Sequence, residues 1–122
     1  MTDEVKLLTQ LVNPLMNLCH SEASGAGWWD EVTTETIPAK LCLIHSEVSE
    51  AMEGHRKDLM DSHLPDRPAI EVELADAIIR IYDLGGYLGM DLGGAIRDKI
   101  LYNRERLDHK RENRASKGGK VY

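Results

Sequence analysis

Aliphatic residues return every three or four positions in four stretches of this chain, and prolines and glycines punctuate the intervals between them. That period places apolar side chains on one face of an α-helix. Val5, Leu8, Val12, Leu15 and Cys19 mark the first stretch, predicted as a helix over residues 2–20 with Thr2 or Asp3 as its cap. Pro14 falls inside it, and a ring without an N–H predicts a kink or break there. Residues 21–35, with Gly25, Gly27 and the Trp28-Trp29 pair, read as a loop. The second helix begins near Pro38, which suits a first turn, and carries Leu41, Ile44, Val48, Ala51 and Met52 before running out at residues 56–59. Residues 60–68, with Pro65 and Pro68, read as the next loop. The third helix spans 68–87 along Ile70, Leu74, Ala77, Ile78, Ile81 and Leu84, weakened at its end by Gly85-Gly86 and Gly89. Asp91 caps a fourth, over 92–112, with Leu92, Ile96, Ile100 and Leu107 facing inward. No strand pattern stands out.

These stretches predict an all-α fold, an antiparallel bundle of four to five helices. The chain has 122 residues, enough for one core and not two. It lacks Phe and is 5% aromatic, so the apolar material is almost wholly aliphatic. A core so small gains from burying a face against a second copy, and homo-oligomerisation is expected to complete the bundle. The domain is placed at 1–112, followed by a basic, flexible tail at 113–122.

The net charge of -6 argues against nucleic acid as a partner of the folded body. Lys110, Arg111, Arg114, Lys117 and Lys120 gather near the end, which reads as a solvated or subunit-bracing tail, with a nucleic-acid arm as the alternative. Cys19 and Cys42 occupy apolar helix positions and read as buried, reduced thiols of a cytoplasmic protein. No signal peptide and no membrane-spanning run is evident.

Two acidic pairs carry the chemistry. Glu47-Val48-Ser49-Glu50 lies on the second helix and Glu73-Leu74-Ala75-Asp76 on the third. Spacing of i and i+3 points each pair from one helix face. A lone pair of this kind is usually a solvated face. Here both border an apolar stripe, where unpaired charge is costly, and their helices are joined by a loop short enough to make them antiparallel neighbours. Four carboxylates in such a seam repel one another unless a divalent cation joins them. An all-oxygen donor set favours Mg2+, with Mn2+ as a substitute, over Zn2+. No His follows a Glu by three residues, so a di-iron bundle is disfavoured. The following helix adds Lys99 and Asn103 on its inward stripe, with Arg106 at the margin. The glycine-rich run Ser24-Gly25-Ala26-Gly27 follows no strand and is not a phosphate loop.

The pattern Glu47-x-x-Glu50, Glu73-x-x-Asp76 and Lys99-x-x-x-Asn103-x-x-Arg106 resembles the MazG-like all-alpha nucleoside triphosphate pyrophosphohydrolases. The resemblance covers roughly residues 25–110. That superfamily also includes dimeric dUTPases, dCTP pyrophosphatases and phosphoribosyl-ATP pyrophosphohydrolases. The resemblance implies Mg-dependent hydrolysis of a (d)NTP to (d)NMP and pyrophosphate, in nucleotide-pool control or house-cleaning, by a homodimer or homotetramer. Glu47, Glu50, Glu73 and Asp76 are the expected metal ligands, with Glu47 or Glu50 drawing the proton from water. Lys99, Asn103 and Arg106 are expected at phosphate and sugar. Trp28 and Trp29 are candidates to stack on the base, against a loop anchor as the alternative for at least one of them. Asn17 and His20 are candidates for its edges, and Lys40 is a further candidate for phosphate. The competing reading is a non-catalytic helical oligomer acting as a regulatory or interaction module.

Overall fold

Thr2 opens the first helix: its Oγ1 accepts from the Val5 N–H at 3.4 Å, capping α1, Asp3–Lys6. The computed structural model describes residues 2–106. Among these, all regular structure is helical: α1 is followed by α2 (Leu8–Gly25), α3 (Thr36–Arg56), α4 (Ala69–Tyr87) and α5 (Leu92–Glu105). An isolated bridge between Met60 and Pro68 is the nearest approach to a strand pair among these residues. No helix of the described residues is long and apolar enough to cross a membrane.

The chain breaks at Leu7, between α1 and α2, and not at Pro14, which lies inside α2. Met16, Cys19 and Ala23 are buried beyond the proline and hold that half of the helix in place. The same burial carries α2 to Gly25, so the loop is shorter than the 21–35 expected. Gly27 closes the helix end with φ 89, a left-handed conformation natural to glycine.

The chain divides into two units, Met1–Pro14 with Asp91–Tyr122, and Leu15–Met90. In the first, Asp91 caps α5 through Oδ1, which accepts from the Gly94 N–H at 2.9 Å and from Asn13 Nδ2 at 2.7 Å. Asn13 Oδ1 in turn accepts from the Gly93 N–H at 2.8 Å. Asn13 and Gly94 together hold the Asp91 carboxyl below its usual pKa. Gly93 is where the helices meet: a Cβ there would lie 2.8 Å from the Leu8 oxygen and from the Thr9 Cα. Those are backbone atoms and cannot swing aside. Gly93→Ala is therefore expected to destabilise the protein by about 1–3 kcal/mol, read as a lowered denaturation midpoint.

In the second unit α3 and α4 run antiparallel and side by side. Gly54 permits the contact at one end, since a Cβ there would stand 2.8 Å from that of Ala69. The connection between them is closed at its base, where the Ala69 N–H donates to the Leu59 oxygen and the Asp61 N–H to the Arg67 oxygen, both at 2.9 Å. Asp58, at φ 52, turns the chain out of α3. Ala23, Trp29 and Leu84 form the buried centre, with Ile37 and Ile44 packed on it.

Only part of each apolar stripe is covered. Ala51, Ala77 and Leu84 are buried, but Leu41, Val48, Met52, Leu74, Ile78 and Ile81 are exposed, Met52 at 69%. Cys42 is exposed as well, contrary to the expectation for both thiols: it lies on the uncovered side of α3 while Cys19 is buried on α2. Leu107 and the tail at 113–122 lie outside the described residues.

Candidate metal centre

The antiparallel pairing of α3 and α4 brings the two acidic pairs together. Glu47, Glu73 and Asp76 each offer an oxygen, and these atoms all lie within 4.8 Å of one another. Glu50 is exposed one turn along α3 and lines the same cavity. That cavity measures about 590 Å³ and is closed on the far side by Asp61, Ser62 and His63 of the connecting loop. Its size is that of a small-molecule site. Asp61 shapes the wall: its Oδ2 accepts from the His63 and Leu64 N–H groups at 2.9 and 2.8 Å.

Charge is unevenly shared among these acids. Burial pushes the Glu47 carboxyl upward, but hydrogen bonding with Glu73 and Arg80, with the Arg80 charge, leaves it below the usual range. Arg80 Nε donates to Glu47 Oε1 at 2.9 Å. Glu73 takes the opposite course. Its hydrogen bond with Glu47, its burial and the nearness of Glu50 push it up to about 8. Its Oε2 is buried with no hydrogen-bond partner among the described residues. Burial and the Glu47 charge raise Asp76, partly offset by Arg80. The seam therefore retains a proton near neutrality because it has more carboxylates than cations.

The sign of the resulting pH dependence follows. Folded Glu73 binds its proton more tightly than the unfolded chain does, so its contribution to stability is present below 4.5 and lost as pH rises towards about 8. The depressed Glu47 works the other way, adding stability above 4.5 that is lost in acid. The melting temperature of the metal-free protein should fall between about pH 5 and pH 8, and Mg2+ should flatten that fall by taking the proton's place. Melts independent of both pH and Mg2+ would contradict a crowded acidic centre.

The remaining sequence candidates fall elsewhere. Trp29 is buried and stacked on Tyr87, with ring centroids 3.9 Å apart at 6°. Its Nε1 donates to Asp83 Oδ1 at 2.7 Å, and His20 Nδ1 meets the same oxygen at 2.9 Å. Trp29 thus takes the anchoring position weighed for one of the two tryptophans. Trp28 is 46% exposed and walls an apolar cavity of about 370 Å³ with Leu15, Leu18, Cys19 and Ile79. Lys40 Nζ lies 4.5 Å from the Trp29 ring centroid and donates to the Trp28 oxygen at 3.3 Å. Asn17 is exposed on α2.

Lys99, Asn103 and Arg106 belong to the other unit. Lys99 is exposed there, its Nζ 4.7 Å from the Tyr102 ring centroid. The Arg106 guanidinium lies 5.9 Å from the same ring. Asn103 Oδ1 is buried without a hydrogen-bond partner among the described residues. Arg80 and Asp83 are functional neighbours that the sequence pattern did not single out. The signal for Arg80 was its position four residues after Asp76, where opposite charges meet on a helix. Nothing in the spacing linked Asp83 to Trp29.

Comparison with models of known protein families, with curated proteins and with solved structures returned no match to this chain. Fold and site together define an all-helical protein with a carboxylate cluster suited to a metal ion.

Proposed function

We propose that this protein is a Mg-dependent pyrophosphohydrolase of the MazG-like kind, cleaving a nucleoside triphosphate to monophosphate and pyrophosphate. The observation that carries the reading is the convergence of Glu47, Glu73 and Asp76 from two adjacent helices, with oxygens within 4.8 Å of one another. Octahedral Mg2+ holds its oxygens about 2 Å away, so neighbouring donors stand about 3 Å apart and opposite ones about 4 Å, and the three carboxylates would draw inward on binding one ion. The buried, unpartnered Glu73 Oε2 supplies a donor atom with nothing else to satisfy it. A divalent cation bound there polarises phosphoryl oxygens and makes water more acidic.

The chain's own residues divide the remaining work. Glu47, Glu73 and Asp76 hold the cation, and its charge lets an acidic cavity accept a polyanion. Glu50 is exposed at the same cavity and outside the close triad, which suits it to take the proton from the attacking water. For Asn103, which belongs to the other unit, the resemblance implies a role at phosphate or sugar. The resemblance implies phosphate roles for Lys99 and Arg106, and Trp28, which is 46% exposed, is the candidate to stack on the base. Trp29 and His20 support the Trp28 loop through Asp83.

The exposed apolar rows of α3 and α4 support assembly with further copies, as a homodimer or homotetramer. Incubation with a panel of (d)NTPs and Mg2+ tests the function: pyrophosphate and monophosphate are expected in equal amounts. Orthophosphate with diphosphate would point to a different cleavage. No product with any nucleotide would leave the non-catalytic helical oligomer as the better account.

A further inference from the structure

Arg80 joins two features that the proposed reaction treats separately. Its side chain is 25% exposed and reaches from α4 into the acidic seam, where Nε donates to Glu47 Oε1 at 2.9 Å. Its guanidinium carbon lies 5.3 Å from the centroid of the Trp28 ring. Nε uses one of five N–H groups, and the four on the Nη atoms make no hydrogen bond among the described residues. A planar, permanently charged fork therefore has one prong among the carboxylates and the rest beside the half-exposed Trp28 ring, which Lys40 Nζ also approaches, at 5.6 Å.

Arg80 is also the one cation hydrogen-bonded within the carboxylate cluster among the described residues. It holds Glu47 ionised and offsets the burial of Asp76. A divalent ion entering between Glu47, Glu73 and Asp76 would take over that neutralising duty and stand next to a like charge. The guanidinium then gains by leaving Glu47, and the Trp28 ring, whose centroid is already 5.3 Å from its carbon, can continue to hold it. A group with four unused donors arriving there is matched to a phosphate, which accepts a guanidinium in the same two-pronged geometry as a carboxylate.

We propose that Arg80 is an exchangeable counter-ion: it neutralises Glu47 in the cation-free protein and, when a divalent cation enters, passes along Trp28 to a phosphate of the incoming nucleotide. The inference rests on the pyrophosphohydrolase reading and adds an order of events to it. Cation binding alone is opposed by Arg80, and nucleotide relieves that opposition, so cation and nucleotide bind cooperatively.

The test compares the full-length parent with Arg80→Gln and Arg80→Lys. Mn2+ binding is followed by electron paramagnetic resonance, with and without a non-hydrolysable dNTP, and steady-state kinetics are run with Mg2+. Arg80→Gln should bind Mn2+ alone about fivefold more tightly or better, while KM for nucleotide rises by at least as much and kcat changes less. Arg80→Lys should keep the parent's weak affinity for Mn2+ alone, because the charge remains, and share the raised KM, because the fork is gone. Mn2+ affinity that is unchanged or weaker in Arg80→Gln, or an unchanged KM, would overturn the proposal. If the parent binds Mn2+ and releases pyrophosphate but the variants match it, Arg80 alone is misassigned. If the parent does neither, the pyrophosphohydrolase reading fails and this inference with it. Should Arg80→Gln fail to fold, the folded parent and Trp28→Phe decide instead. Adding Mg2+ and the nucleotide analogue should change a fluorescence signal lost in Trp28→Phe, and no such signal would overturn the exchange.

Discussion

Asp76→Asn should lower turnover about a hundredfold or more under the proposed reaction, while the circular dichroism of the helices is retained. The substitution keeps the size of the side chain and removes one of three close oxygen donors. Losing a ligand charge weakens a divalent ion far more than it disturbs packing, because Asp76 is only half-buried and makes no hydrogen bond among the described residues that a neutral amide would strand. Glu50→Gln should lower kcat by about 10²-fold or more by removing the proposed proton acceptor, and it should leave Mn2+ affinity closer to the parent's than Asp76→Asn does. Raising Mg2+ should recover part of the Asp76→Asn loss and little of the Glu50→Gln loss. Full turnover in both variants would rule the centre out.

Asp83→Ala should destabilise the protein by about 3 kcal/mol, with a melting temperature roughly 10 °C lower. Asp83 is 2% exposed and one oxygen serves both the Trp29 indole N–H and the His20 ring. Removing the carboxylate leaves the buried Trp29 N–H and the half-buried His20 ring without their partner, and the Trp29–Tyr87 stack loses its restraint. Trp29 emission should shift to the red as the loop loosens. Asp83→Asn keeps an acceptor oxygen and should cost less. If Asp83→Ala melts with the parent, Trp29 is held by its stacking alone.

The helices that carry the acidic pairs were legible because helical periodicity is a local signal. The stretches around Leu41–Met52 and Ile70–Leu84 state it repeatedly, and Pro38 and Pro68 mark where each begins. The acid cluster was legible for the same reason: two pairs beside two stripes must meet once the helices pair. What escaped was set by contacts distant in sequence. Glu47 and Arg80 are on different helices, and the His20, Trp29 and Asp83 group spans three chain segments. The end of α2 was misplaced because Gly25 and Gly27 signal a loop, while the burial of Ala23 that extends the helix depends on Trp29 and Leu84. Periodicity also overstated the core. It marks which faces are apolar, and Val48, Met52, Leu74 and Ile78 are apolar without being covered within one chain.

The hydrogen-bonded closure at Leu59, Asp61, Arg67 and Ala69 separates what lies beyond it from the helices below. Residues added or removed between Ser62 and Asp66 would lengthen or trim a tip whose stem is already tied, so the register between Glu50 and Glu73 would survive. Variation in that tip would instead remodel the rim of the 590 Å³ cavity, which Ser62, His63 and Leu64 help to form. Evolution can therefore retune what the chamber admits by editing one short segment, without touching the carboxylates that line its floor.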